Sequence, residues 1–256
     1  MNILEFRDLR KTYENGVRAL DGLTMSVSAG SIFGFLGLNG AGKTSTIRVF
    51  AGLTPRDSGS IRLSGKELAD EDYKREIGFV LDEPLYFDWM SARDYLEFVG
   101  RMYGLNRDDI VERTGQLLDF FDLGEKGENP IGSFSTGMKK KVSLAAAIIH
   151  KPQLIVLDEP LEGIDAVAAG SIKETLGLMV QKGATILITS HVLDTVERFC
   201  TDIAIISRGK ILLQCKTAEI RMRVKDSLSN TTFRSLEELF VELVSDKVRK
   251  KHLSWL

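Results

Sequence analysis

The sequence predicts an α/β fold with a mainly parallel core sheet, an antiparallel β-layer and an inserted helical subdomain. Three observations carry that expectation. A glycine-rich loop at residues 37–45 stands between a short apolar run and a helix-like segment. Residues 85–151 hold helical patterns and no convincing strand. From residue 154 onward, strand-like and helical patterns alternate, which is how a parallel sheet covered by helices reads in sequence.

Taken in order, residues 2–9, 23–27 and 60–63 read as strands that flank the glycine loop and suggest the antiparallel layer. Residues 31–36 (SIFGFL) have the length and apolarity of a buried strand. Residues 44–53 (TSTIRVFAGL) read as a helix with Ile47, Phe50 and Ala51 on one face. Helices are expected at 91–103, 108–121 and 138–149, within the subdomain of about 85–151. Strand 153–157, helix 166–181, strand 185–189, helix 193–199 and strand 203–207 follow. Residues 208–210 (RGK) make a turn before a last strand at 211–214.

After Lys216 the character changes, so the expected division is one domain over 1–216 and a helical tail over 217–256. Residues 235–238 (SLEE) form a capping box, and Leu236, Leu239, Phe240, Leu243, Val244 and Val248 recur at helical spacing. Such an apolar face needs a cover, either the chain's own domain or a dimer or partner surface. Residues 247–252 (KVRKKH) are a basic run followed by Trp255, which reads as a solvated tail or a segment that approaches anionic lipid.

The 256 residues suit one large α/β domain, or one domain with a tail. A net charge of −2 gives no bulk attraction to nucleic acid, and none is expected as a partner. Cys200 and Cys215 lack metal-like spacing and read as small apolar residues of a protein in a reducing compartment. No run approaches 18 apolar residues, so no membrane span is expected. Glu5, Arg7 and Asp8 interrupt the N-terminus and argue against a secretory signal.

The chemistry begins at residues 37–45, GLNGAGKTS, which fit the phosphate-binding pattern G-x-x-x-x-G-K-[ST] of a P-loop NTPase through Gly37, Gly42, Lys43 and Thr44. Gly37, Gly40 and Gly42 allow a tight turn, so that N–H groups of the loop (Leu38, Asn39 and Ala41 included) approach phosphate oxygens. The helix that follows, opening with Thr44 and Ser45, adds the positive end of its dipole. Lys43 supplies charge for the β- and γ-phosphates, and the Thr44 hydroxyl is a magnesium ligand, so ATP and Mg2+ are the expected cofactors. Residues 154–160, LIVLDEP, are an apolar run ending in two carboxylates. Asp158, at the carboxyl end of a strand where ligands gather, is placed to hold magnesium through water. Glu159 is placed to orient or deprotonate a water attacking the γ-phosphate. A polar turn alone would read similarly, but the glycine loop upstream weighs against it.

Residues 134–142, FSTGMKKKV, resemble the signature of the ATP-binding cassette (ABC) ATPase family, Leu-Ser-Gly-Gly-Gln followed by a basic helix. Ser135 and Gly137 match it; Phe134, Thr136 and Met138 depart. A Ser hydroxyl and a Gly N–H at a helix start form an anion site, and Ser135 is equally a good N-cap; both can hold at once. The resemblance extends along almost the whole chain. Residues 161–165 (LEGID) are similar to the family's D-loop through Asp165, and residues 185–191 (TILITSH) lead to what looks like its switch histidine, His191. Tyr13 is placed like the adenine-stacking aromatic, though it also reads as a half-buried strand residue. In residues 77–84 (IGFVLDEP) Asp82 stands where the family usually has Gln, with Glu83 next; some exporter-type members carry an acidic residue there. Asp82 keeps an oxygen for magnesium or its water. Leu38 stands where many members have Pro.

The resemblance implies an exporter-type ATP-hydrolysing subunit. Two copies would sandwich two ATP molecules, the glycine loop of one facing the Ser135–Gly137 segment of the other. A separate transmembrane permease would carry the substrate, with this chain peripheral at the cytoplasmic face of the membrane. The competing class is a soluble ABC ATPase acting on nucleic acid, the ribosome or protein assembly, whose usual paired cassettes, coiled-coil insertions or zinc modules are not visible.

Overall fold

The structure is a computed structural model and describes residues 1–68, 71–82, 86–220 and 236–244. Two sheets build it. The first is antiparallel, with β1 (Asn2–Thr12), β2 (Arg18–Ser28), β4 (Ser58–Leu63) and β5 (Lys66–Glu67) in the order β2-β1-β4-β5. β1 and β2 run further than their apolar patterns suggest. The charges that interrupt those patterns are accommodated at the surface, Arg10 bonding both Asp8 and Asp21 at 2.9 Å. The register shift between Phe6 and Leu9, where Asp8 takes φ 46°, resets the alternation, so Leu4 and Phe6 before it and Leu9 after it are all buried while Asp8 and Arg10 are exposed.

The second sheet holds β3 (Ile32–Leu36), β6 (Ile77–Val80), β7 (Leu154–Leu157), β8 (Thr185–Ser190), β9 (Asp202–Ser207) and β10 (Lys210–Lys216) in the order β10-β9-β3-β8-β7-β6. Every pairing is parallel except β10 with β9. β6 goes beyond the expected strands: four residues containing a glycine are too short a pattern to read alone, and pairing with β7 makes the strand. Both faces are covered, so the strands are apolar throughout. Ile32, Leu36, Ile155, Leu157, Ile186 and Ile188 join the core beneath the helices. Phe33, Phe35, Val156, Leu187, Ala204 and Ile206 join the core shared with the antiparallel layer.

Seven α-helices are described: α1 (Lys43–Phe50), α2 (Ala92–Met102), α3 (Arg107–Phe120), α4 (Thr136–Ile148), α5 (Ala166–Gln181), α6 (Leu193–Phe199) and α7 (Leu236–Val244). Side chains of Ser91, Asn106, Ser135 and Asp165 accept backbone N–H groups at the starts of α2, α3, α4 and α5, each such cap contributing about 1 kcal/mol. α4 starts two residues before the patterned run because Ser135 caps it. Among the described residues between 86 and 151 no strand appears, only an isolated bridge of Ser91 with Pro130. α1 drives Phe50 between the sheets, edge-on to Phe6 at 5.6 Å, a burial contributing about 1.5–3 kcal/mol.

One contact fixes α4 on the sheet. A Cβ added at Gly78 in β6 would stand 2.0 Å from the Ala147 carbonyl oxygen of α4. On the tail helix α7, Leu236 and Phe240 are buried in the core beneath the helices, so the covered face there is the chain's own. Ser235, Val248, the basic run and Trp255 lie outside the described residues. Cys200 is buried and Cys215 half-buried, and no disulfide joins them. No helix among the described residues is long and apolar enough to cross a membrane.

Candidate functional site

β3 lies beside β8, and β8 beside β7, all parallel, so their carboxyl ends open onto one place. The loop after β3 turns into α1 at Gly42, whose φ of 116° belongs to glycine; a Cβ there would stand 2.6 Å from the Ala19 carbonyl. Leu38, Asn39, Gly40 and Thr44 are exposed, Gly37, Ala41, Gly42 and Lys43 are buried, and Ser45 is half-buried. The Lys43 ammonium donates to the Gly37 carbonyl at 2.7 Å and approaches the Glu159 carboxylate at 3.4 Å. Tyr13, in the hairpin loop after β1, is half-buried and donates its hydroxyl to Ser45 Oγ at 3.2 Å. Its ring therefore stands beside the glycine loop.

Asp158 and Glu159 follow β7, and both are buried. Asp158 Oδ1 accepts the Thr189 hydroxyl at 2.5 Å. Burial pushes the Asp158 carboxyl above its ordinary range; bonds from the Thr189 and Thr44 hydroxyls oppose this, and the nearby Asp82 and Glu159 charges add to it. A buried carboxylate flanked by hydroxyls and other carboxylates offers hard oxygen donors, which fits a magnesium ion.

Glu159 adopts φ 46°, a left-handed conformation costing a non-glycine residue of order 1 kcal/mol or more. Its N–H donates to Thr189 Oγ1 at 2.9 Å, and its carbonyl accepts the Lys140 ammonium at 3.0 Å. Its carboxylate lies between Lys43 and His191, whose Nδ1 is 3.1 Å from Oε2. A cleft of about 340 Å³ opens beside this group, lined by Glu159, Glu162, Thr189 and His191 among others.

The structure thus brings Lys43, Thr44, Asp158, Glu159 and His191 together. Asp82 is exposed and close enough to act electrostatically on both Asp158 and Lys140. Glu83, the competitor for its role, lies outside the described residues. Ser135 and Gly137 stand apart: among the described residues no hydrogen bond joins them to the glycine loop, and Ser135 caps α4 by accepting Met138 N–H at 3.3 Å. Asp165 likewise caps α5 through Val167 and Ala168, whose N–H groups hold its carboxyl below the usual range. Sequence reasoning missed Thr189 and Lys140. The one available signal for Thr189 was a hydroxyl within a strand buried along its whole length.

Comparison with known proteins points one way. A family profile described as "ABC transporter" matches residues 20–162. The linearmycin resistance ATP-binding protein LnrL of Bacillus subtilis (strain 168) is 34% identical over 242 residues, covering 93% of this chain and 78% of that protein. The lantibiotic transport ATP-binding protein SrtF of Streptococcus pyogenes is 34% identical over 213 residues, 83% of this chain and 90% of that one. A solved structure of an ATP-binding subunit of an ABC transporter superposes with a TM-score of 0.83 at 32% identity, covering 94% of this chain and 99% of its own.

Proposed function

The chain belongs to the ABC transporter family, and on that premise we propose that it is the ATP-hydrolysing subunit that energises export through a separate membrane permease. The observation that carries the reading is the Glu159 carboxylate held between Lys43 and His191, beside Asp158. The glycine loop, Gly37 to Ser45, wraps the triphosphate with its N–H groups, Lys43 balances the β- and γ-phosphate charge, and Tyr13 offers its ring to the base. Thr44 and Asp158 would hold magnesium, with Asp82 within electrostatic reach of Asp158, and the ion would neutralise charge on the phosphates. Glu159 orients the attacking water and takes its proton, and His191 fixes the carboxylate and contacts the γ-phosphate.

Ser135 and Gly137 complete the site from a second copy, which makes the working unit a dimer with two shared sites. The permease places this chain at the cytoplasmic face of the membrane, and the balanced charge supports a reading without nucleic acid. Relatives named for linearmycin resistance and lantibiotic transport favour export. The test is Glu159→Gln: ATP binding retained, turnover largely lost, and a dimer trapped by Mg-ATP in light scattering. Purification from detergent-solubilised membranes then reads the partner. A polytopic membrane protein supports the proposal, and ribosomes or nucleic acid as sole partner would overturn it.

A further inference from the structure

Three consecutive lysines follow the Ser135–Gly137 segment on α4, and each has a different anchor. Lys139 meets Asp88 at 3.3 Å, and Lys141 donates to the Phe121 carbonyl at 2.9 Å, both at the edge of the helical region. Lys140 reaches the other way. Its ammonium donates to the main-chain carbonyls of Glu159, at 3.0 Å, and Glu162. Burial lowers its pKa, and the charges of Asp82, Glu162 and Glu159 oppose that lowering.

Glu159 is the residue that needs such a contact. Its left-handed backbone persists only if the surroundings over-determine it. Its N–H is held by Thr189 of β8 and its carbonyl by Lys140 of α4, with Glu162 N–H also on that carbonyl at 3.2 Å. Two elements other than its own therefore fix both polar groups of one peptide turn. α4 is also the helix whose first turn presents Ser135 and Gly137.

We propose that Lys140 is a positioning residue for hydrolysis: it holds the Glu159 backbone so that the carboxylate faces the attacking water, and it ties that geometry to the helix carrying Ser135. The inference rests on Glu159 being the general base. A base displaced by a fraction of an ångström still leaves the nucleotide's own contacts intact, so the effect falls on turnover and spares binding.

The experiment measures steady-state ATPase kinetics and ATP binding on the full-length chain with Mg-ATP for Lys140→Ala, Lys140→Arg, Lys139→Ala and Glu159→Gln. Lys140→Ala is expected to lower kcat by roughly 10- to 100-fold with ATP affinity changed less than about threefold. Lys140→Arg, which keeps charge and donors, restores most of kcat, and Lys139→Ala stays near the parent. Should Lys140→Ala prove insoluble, Lys140→Met, which keeps an unbranched stem and removes the charge and donors, is read the same way. An unchanged kcat in these variants, a loss of binding equal to the loss of turnover, or no recovery with Arg overturns the proposal. Retained turnover in Glu159→Gln overturns instead the underlying assignment of the base, and does so independently of Lys140.

Discussion

His191 meets Glu159 through Nδ1, 3.1 Å from Oε2, while the other carboxylate oxygen faces Lys43 at 3.4 Å. The imidazole and the ammonium thus hold opposite ends of one carboxylate. His191 is the more exposed partner, its side chain 39% accessible against 10% for Glu159.

Replacing His191 with Ala removes one of these holds and leaves the glycine loop untouched. We expect kcat to fall by about 10²-fold, at the low end of what loss of an acid–base group costs, with ATP binding nearly unchanged. Single-turnover hydrolysis alongside a fluorescent-nucleotide titration checks both halves.

Thr189 joins the two carboxylate residues through one hydroxyl, donating to Asp158 and accepting from the Glu159 N–H. Thr189→Val keeps the shape and removes both bonds, leaving a buried N–H without its partner at a cost of about 1–3 kcal/mol. Thr189→Ser keeps both. Thermal unfolding should separate the variants by several degrees, since about 1 kcal/mol moves a domain of this size by 2–4 °C. Magnesium titration of ATPase activity should shift for Val and remain in place for Ser.

The candidate site was legible in sequence wherever a residue type at fixed spacing suggests the role. Gly37, Gly42, Lys43, Thr44, Asp158 and Glu159 are of that kind, because phosphate and metal chemistry admit few substitutes. Thr189 and Lys140 were not legible, because each acts through a contact across elements 19 to 31 positions apart in sequence. Nothing local distinguishes Lys140 from its lysine neighbours; only the fold points it at Glu159. The parallel core was legible from alternating apolar runs, whereas β6 and the full length of the β1–β2 hairpin depend on pairing partners that no single segment announces.

Asp82 lies within electrostatic reach of Asp158, which its charge pushes further from the ordinary carboxylate range. Asp82→Ala should therefore alter the magnesium dependence of turnover more than metal-free ATP affinity. Glu83→Ala is the control. Metal titrations on both variants decide between them, and an effect confined to Glu83 would transfer the role.

Cys200 offers a probe unconnected with catalysis. Burial pushes its thiol up to about 12, with the Asp202 charge adding to the shift, so it is neutral in the native state at pH 8. The native protein should protect it from alkylation until unfolding exposes it, as read by mass spectrometry of labelled peptides. The sign for stability follows: the unfolded thiol ionises near its ordinary value of 9.0 and the native one does not, so this group's contribution is full below pH 9 and is lost as pH rises towards 12.

Gly78 allows α4 to lie directly on β6, its missing side chain leaving no space between strand and the Ala147 carbonyl. Backbone resting on backbone at this distance has no compliant layer, because packed interiors transmit displacement and do not absorb it. The strand that leads to Asp82 and the helix that begins at Ser135 are therefore seated on one another with no side chain between them at this point. Any side chain introduced at position 78 would have to lift this end of α4 off the strand.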